Sequence, residues 1–194
     1  MSNDQDADAL SIEVMQAGDA PRITAHLMRL SADDRALRFN SALTDEAQIA
    51  RYVGQMRFGE DLILGLVDAA GRVVGVAHGC AFKAGAEQRI EAAFSIDIGF
   101  RGRGFGIALM RSLQAAASAH GVASIVGLCA ARNRPMRHIF ERAGMTLERE
   151  DDEIRACLAL KAGPSDPDGN LSSGRSGKRA ATPIDSLPAS AGGA

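Results

Sequence analysis

The hexapeptide Arg101-Gly-Arg-Gly-Phe-Gly106 places three glycines at alternate positions beside two guanidinium groups. Glycines at that density let a backbone close around an anion, and the start of a helix adds unpaired amide donors and the positive end of the helix dipole. The chemistry this predicts is phosphate or pyrophosphate binding. Two familiar phosphate loops do not fit. After Gly102-x-Gly104 the third position of a dinucleotide fingerprint holds Ile107, after Gly104-x-Gly106 it holds Leu109, and no Gly-Lys-Ser/Thr stands at P-loop spacing. The competing reading is a glycine-rich turn that only admits the chain into a helix.

Other reactive side chains are scattered. His78 lies in an apolar run, where a histidine is either a hydrogen-bonded core residue or a proton relay. His120, near a helix end, complements the dipole, and His138 is expected to face solvent. Cys80, Cys129 and Cys157 have neither C-x-x-C spacing nor histidine partners, so no metal site or disulfide framework is expected, and Cys129 reads as a small packed residue.

The elements that must hold the glycine loop follow from hydrophobic period. A strand is expected over Leu10 to Met15, then a helix with Pro21 in its first turn and Ile23, Leu27 and Leu30 on one face, continued helically from Ser31 to Phe39. Thr44 is the expected cap of a third helix carrying Ile49, Tyr52, Val53 and Met56. Strands follow over Leu62 to Val67, Val73 to Phe82 and Arg89 to Ile98, the last two joined as a hairpin. A helix from Gly104 to His120, stopped by Gly121, leads to a strand over Ser124 to Leu128 and to a helix that starts at Asn133 and Pro135 and ends at Gly144. Met145 to Glu150 and Glu153 to Leu160 close the unit as a strand pair. This order implies an α/β fold with a mixed, mostly antiparallel central sheet and helices on both faces.

Residues 11–162 thus form the expected domain, 1–10 a flexible N-terminus, and 163–194 a disordered Gly/Ser/Pro/Ala-rich tail that cannot bury enough surface to order itself. A net charge of -2, 4% aromatic residues and no Trp speak against a nucleic-acid partner. No apolar run approaches the roughly 18 residues of a membrane span, and the acidic first twenty residues do not resemble a secretory signal, so the expected location is cytoplasmic.

Arg101-x-x-Gly104-x-Gly106, after a strand and before a helix, resembles the Q/R-x-x-G-x-G/A pyrophosphate loop of the GNAT superfamily of N-acetyltransferases. Asn133-Arg-Pro-Met-Arg-His-Ile-Phe-Glu-Arg-Ala-Gly-Met145 resembles its second signature, and the likeness in element order covers roughly residues 11–160. Within the superfamily, Leu30 to Phe39 and Glu91-Ala-Ala-Phe-Ser-Ile96 resemble the Pat-type protein lysine acetyltransferase domain. The resemblance implies acetyl-CoA as co-substrate. Phe94, Ser95 and Ile96 would then offer backbone hydrogen bonds to its pantetheine arm. Arg101 and the amides of Gly102, Arg103, Gly104, Phe105, Gly106 and Ile107 would hold the pyrophosphate, and Asn133 would line the thiol end.

Strand alternation puts Glu91, Ala93, Ser95 and Asp97 on one face, expected to look toward substrate, and Phe94, Ile96 and Ile98 on the other. Direct acyl transfer needs a neutral amine, and because an unperturbed lysine has a pKa of about 10.4 a carboxylate base is useful. Glu91, at the place where Pat-type domains carry such a Glu, is the candidate; an exposed charge opposite a basic residue is the alternative. The register at which many GNAT enzymes place a proton-donating Tyr holds Phe140, which leaves the general acid open. The implied activity is acetyl transfer to a primary amine, of a protein lysine or a small molecule. A non-catalytic acyl-CoA-binding regulatory module is the alternative, and a scaffold acting through the tail is a third reading.

Overall fold

A computed structural model describes residues 10–39, 45–160 and 181–183. Strand β1 (Ser11–Val14) is followed by helices α1 (Ala20–Arg29), α2 (Ala32–Phe39) and α3 (Glu46–Gly54). A meander of β2 (Leu62–Val67), β3 (Val73–Ala84) and β4 (Glu87–Ile96) comes next, then α4 (Phe105–Ala119), β5 (Ser124–Ala130), α5 (Arg134–Arg142), β6 (Thr146–Glu150) and β7 (Glu153–Ala159). Thr44, the expected cap of α3, lies outside the described residues, and Asp45 does the capping, its carboxylate accepting from the Gln48 amide at 2.7 Å. Gly121 follows α4 with φ 69°, as its left-handed tolerance predicts.

The expected flexible start and tail also lie outside the described residues, except for Leu10 and for 181–183. These form a short strand, β8 (Ala181–Pro183), antiparallel to β1, which the composition of the tail did not suggest. The sheet runs β6-β7-β5-β4-β3-β2-β1-β8 and is antiparallel except between β4 and β5.

Each face of the sheet buries its own cluster. α4 and α5 cover Leu64, Leu66, Val74, Ile90, Phe94 and Ile125 with Leu109, Met110, Leu113 and Phe140. α1 and α3 cover Ile63, Val67, Val73 and Val76 with Ile23, Leu27, Ile49 and Val53. Two helical layers on one twisted sheet are the expected outcome of strands apolar on both sides.

Phe140 fits its face only because β5 carries a glycine opposite it. A Cβ on Gly127 would stand 2.5 Å from the Phe140 ring tip, and the ring is fully buried. Gly127→Ala is therefore expected to destabilise the fold by about 1–3 kcal/mol, since a packed aromatic must shift. Urea denaturation checks this, and an unchanged midpoint would show that the ring yields freely.

Candidate active site

β4 and β5 pair in parallel over three residues, Arg89–Glu91 with Ser124–Val126, and then separate. Beyond that point β4 stays on β3 as far as Ile96, while β5 stays on β7 as far as Ala130. The separation opens the sheet, and a cavity of about 720 Å³ occupies it, walled by Ala92–Ile96, Leu128, Cys129, Asn133 and the glycine loop. The amide of Asp97 donates to the Val74 carbonyl at 2.9 Å. Alternation along an antiparallel strand then directs the backbone groups of Ser95 and Ala93 to β3, and those of Ala92, Phe94 and Ile96 into the gap. Of the three backbone positions expected to meet a pantetheine arm, Phe94 and Ile96 fit and Ser95 does not.

The strand ends at Ile96. Ile98, expected within it, belongs to a 3-10 turn, Ile98–Phe100, and is 82% exposed. Arg101 follows, with Nε donating to the Ile96 carbonyl at 2.9 Å and Nη1 to Asp34 Oδ1 at 2.8 Å, which ties α2 to the loop. The hydrogen bond from Arg101 holds the Asp34 carboxyl below its ordinary value. Gly102 and Gly104 have φ of 73° and 84°, the left-handed region that side chains avoid, and Gly104 caps α4. The amides of Phe105 and Gly106, ahead of the first helical bonds, are the natural anion donors. Ile107 was expected to join them, but its amide donates to the Gly104 carbonyl at 3.0 Å. Gly106 serves packing as well: a Cβ there would come within 2.7 Å of Ile139 Cδ1 on α5. Arg103 does not line the cavity, and its guanidinium lies over the Phe105 ring, 5.1 Å from the centroid.

Asn133 does line the cavity while capping α5, its side-chain oxygen accepting from the Met136 amide at 3.2 Å. His138 is exposed, as expected, and also borders the cavity, where Arg132 adds a cation. Phe140 lines neither of the two cavities and has no proton to give.

The polar face of β4 divides. Glu91 and Ala93 line a second cavity of about 320 Å³ with Arg38, Phe39, Tyr52, His78, Cys80 and Glu153. The two cavities share Leu37, Arg38, Ala92, Ala93, Leu128 and Cys129, so they adjoin. Glu91 is exposed, and its cross-strand neighbours are Cys80 and Val126, neither of them basic. Ser95 and Asp97 turn instead under α1, where Ser95 Oγ lies 2.9 Å from His26 Nε2. His26 Nδ1 is 2.8 Å from Asp97 Oδ1, and Arg29 Nε donates to Asp97 Oδ2 at 2.9 Å. This Ser-His-Asp grouping is a brace between α1 and the end of β4, because His26 is completely buried.

Burial holds His26 below its ordinary 6.5 against the opposing pull of Asp97. Burial would raise Asp97, but His26 and Arg29 outweigh it and keep the carboxyl below 3.8. A lowered folded pKa means that the unfolded chain binds more protons just below 6.5, so this stability is complete above pH 6.5 and is lost as pH falls toward the folded value. Urea midpoints are expected to decline from about pH 7 to about pH 5, with a flatter profile for His26→Gln. Parallel profiles would remove His26 as the cause.

His78 proves to be bonded on both ring nitrogens, to Tyr52 Oη at 2.9 Å and to Asp61 Oδ2 at 3.2 Å. Tyr52, on α3, was read from the sequence only as a core residue, and no local signal connects it to His78. Asp61, His78 and Cys80 could in principle meet one metal ion. However, both carboxylate oxygens of Asp61 already accept hydrogen bonds, among them one from Arg57 Nη2 at 2.6 Å, and that guanidinium brings its own positive charge to the cluster. Burial raises the thiols of Cys80 and Cys129 above their ordinary value, so neither is an activated nucleophile. No helix among the described residues is long and apolar enough to cross a membrane.

Known proteins share this architecture. The GNAT domain of S. lividans PAT has a TM-score of 0.65 at 21% identity, over 77% of this chain and 89% of that one. A GNAT superfamily phosphinothricin acetyltransferase from Sinorhizobium meliloti, solved in complex with AcCoA, has a TM-score of 0.64 at 18% identity, over 84% and 98%. Spermidine N-acetyltransferase from Vibrio cholerae, solved with CoA and spermine, has 0.61 at 16%, over 79% and 97%. At these identities the likeness establishes the fold, a mixed α/β sheet opened between β4 and β5. The family model described as "Acetyltransferase (GNAT) domain" matches residues 9–146, and the chain belongs to the GNAT family of acetyltransferases.

Proposed function

We propose that this chain moves an acetyl group from acetyl-CoA to a primary amine by direct transfer, with both substrates bound at once. The observation that carries this reading is the pair of adjoining cavities: one runs along the open edge of β4 to the glycine loop, and the other holds Glu91. In this reading the amides of Phe105 and Gly106 receive the pyrophosphate, supported by the dipole of α4 and by Arg132. The backbone groups of Ala92, Phe94 and Ile96 bond the extended arm as a missing strand would, and Asn133 closes the wall. The thioester lies at the shared boundary near Ala93 and Cys129.

The amine enters the second cavity, and Glu91 takes a proton from its ammonium form, directly or through water, so that nitrogen can attack the acetyl carbon. The raised thiols of Cys80 and Cys129 favour direct transfer over an acyl-enzyme. With Phe140 buried, no side chain at its register protonates the departing thiolate; a thiol pKa of about 8.5 makes the thiolate a tolerable leaving group. Two of the similar proteins are named for the acetylation of phosphinothricin and of spermidine, which supports an amine as the acceptor.

Incubation with acetyl-CoA and a panel of amines, followed by mass spectrometry, tests the reading. Acetylated product is expected. Tight acetyl-CoA binding with no product from any amine would favour the regulatory-module alternative, for which the buried Phe140 is the supporting observation.

A further inference from the structure

The second cavity contains a hydrogen-bonded chain that the proposed reaction does not yet use. Arg38 Nη2 donates to Tyr52 Oη at 2.8 Å, and the same oxygen lies 2.9 Å from His78 Nδ1. His78 Nε2 is 3.2 Å from Asp61 Oδ2, and Asp61 is only 6% exposed. Asp61 also receives the Ala81 amide at 3.0 Å on Oδ1 and the Arg57 amide at 3.0 Å on Oδ2. Burial opposes its charge, yet these bonds together hold the carboxyl below its ordinary value, so Asp61 is an acceptor only. His78 Nε2 must then carry the hydrogen, and Nδ1 presents a lone pair. The Tyr52 hydroxyl donates to that lone pair, since Arg38 is already donating to its oxygen. One acceptor position on the phenolic oxygen is left, and Tyr52 and His78 line the same cavity as Glu91.

A primary ammonium has three N–H protons and the product amide has one, so two protons must leave the nitrogen. Glu91 accounts for one. Resting on the transferase reading above, we propose that the second cavity is the acceptor-amine site and that Tyr52, backed by His78 and Asp61, takes the other proton. As the N–C bond forms and the C–S bond breaks, the nitrogen gives a proton to Tyr52 Oη while the hydroxyl proton passes to His78 Nδ1. Tyr52 is neutral before and after. His78 becomes an imidazolium paired with Asp61, and it later returns its proton to solvent. Of the two protons lost by nitrogen, one finally balances the thiolate as CoA thiol and one is released.

The groups facing His78 suit this cycle. Burial lowers its pKa, so the ring is neutral and ready to accept at neutral pH, while Asp61 opposes that shift and stabilises the cation once formed. Arg38 from α2 and Arg57 from the segment before β2 add positive charge that favours proton release, and Cys80 on β3, Glu91 on β4 and Glu153 on β7 line the same cavity. Tyr52 touches substrate in this account and is catalytic, whereas Asp61 acts through His78 and is a positioning residue.

Tyr52 is the only tyrosine and the chain has no Trp, so intrinsic fluorescence reports on this one position. The probes are acetyl-CoA with an N-terminally blocked peptide bearing a single lysine, and a short aliphatic diamine. With either amine, Tyr52→Phe and His78→Gln are each expected to lower kcat by about 10²-fold or more, with acetyl-CoA affinity within about twofold of the unaltered chain. The unaltered chain should lose activity on the acid side as His78 protonates, and His78→Gln should lack that limb; a role confined to packing predicts no such change in profile. Addition of either amine should also alter Tyr52 fluorescence.

Turnover by Tyr52→Phe within about threefold of the unaltered chain, with the same acid limb, would overturn the proposal. So would the absence of any fluorescence response to both amines, or a His78 carrying its proton on Nδ1 by nitrogen-15 NMR. Failure of the unaltered chain to bind acetyl-CoA would defeat the transferase reading and this inference together, whereas normal turnover by Tyr52→Phe defeats the inference alone.

Discussion

Glu91→Gln is expected to lower kcat for amine acetylation by about 10²- to 10⁴-fold, the range of a lost general base, with little change in acetyl-CoA affinity. The substitution keeps size and hydrogen-bonding capacity, and the residue is exposed on β4 between Cys80 and Val126, so the fold has no reason to change. The loss should narrow as pH rises, because a growing fraction of the amine is then already neutral and needs no base. Steady-state kinetics at several pH values measure both effects. Turnover near that of the unaltered chain at neutral pH and saturating acetyl-CoA would remove Glu91 from the reaction and leave Tyr52 as the principal proton acceptor.

The double substitution Gly104→Val, Gly106→Val is expected to weaken acetyl-CoA binding by about 10²-fold or more, which two charge-assisted hydrogen bonds of about 1.5–3 kcal/mol each would account for. The two valines act differently. At Gly104 the φ of 84° is closed to a β-branched residue, so the loop must take another path and carry its amides away from the anion. At Gly106 the backbone is ordinary, but a Cβ would meet Ile139 Cδ1 at 2.7 Å, so that the Ile139 side chain, which lines the cavity, must move. Circular dichroism should show the sheet and helices retained. Unchanged affinity in a folded double variant would mean that the loop does not hold the pyrophosphate.

Most of the frame was legible from local pattern. The period of Ile23, Leu27 and Leu30, Pro21 in the first turn of that helix and the glycine loop between strand and helix each carry their meaning within a few residues, and the elements form where those signals predict. Of the candidate site, placement was legible where it is backbone: Gly102, Gly104, Phe105 and Gly106 border the cavity between a strand and a helix, and Asn133 caps its helix beside it.

What could not be read depends on contacts distant in sequence. Arg101 spends hydrogen bonds on Asp34, 67 positions away, and Ser95 turns to His26, 69 positions away, so neither commitment has a local sign. The amide of Ile107 is committed to the Gly104 carbonyl because the first turn of α4 closes tightly, which the glycine spacing alone does not reveal. Simple alternation grouped Ser95 and Asp97 with Glu91, correctly in direction, but could not foresee that α1 covers one end of that face and leaves the other open. Tyr52 and Asp61 meet His78 only through packing of α3 and the segment before β2 on the sheet.

Calorimetric titration of the purified chain with acetyl-CoA and with desulfo-CoA asks whether the glycine loop and the open edge of β4 hold the cofactor. Saturable binding of both is expected, because the pyrophosphate and the extended arm rather than the sulfur supply the contacts, together with its loss in the Gly104→Val, Gly106→Val variant. A folded, unaltered chain that binds neither would contradict that assignment.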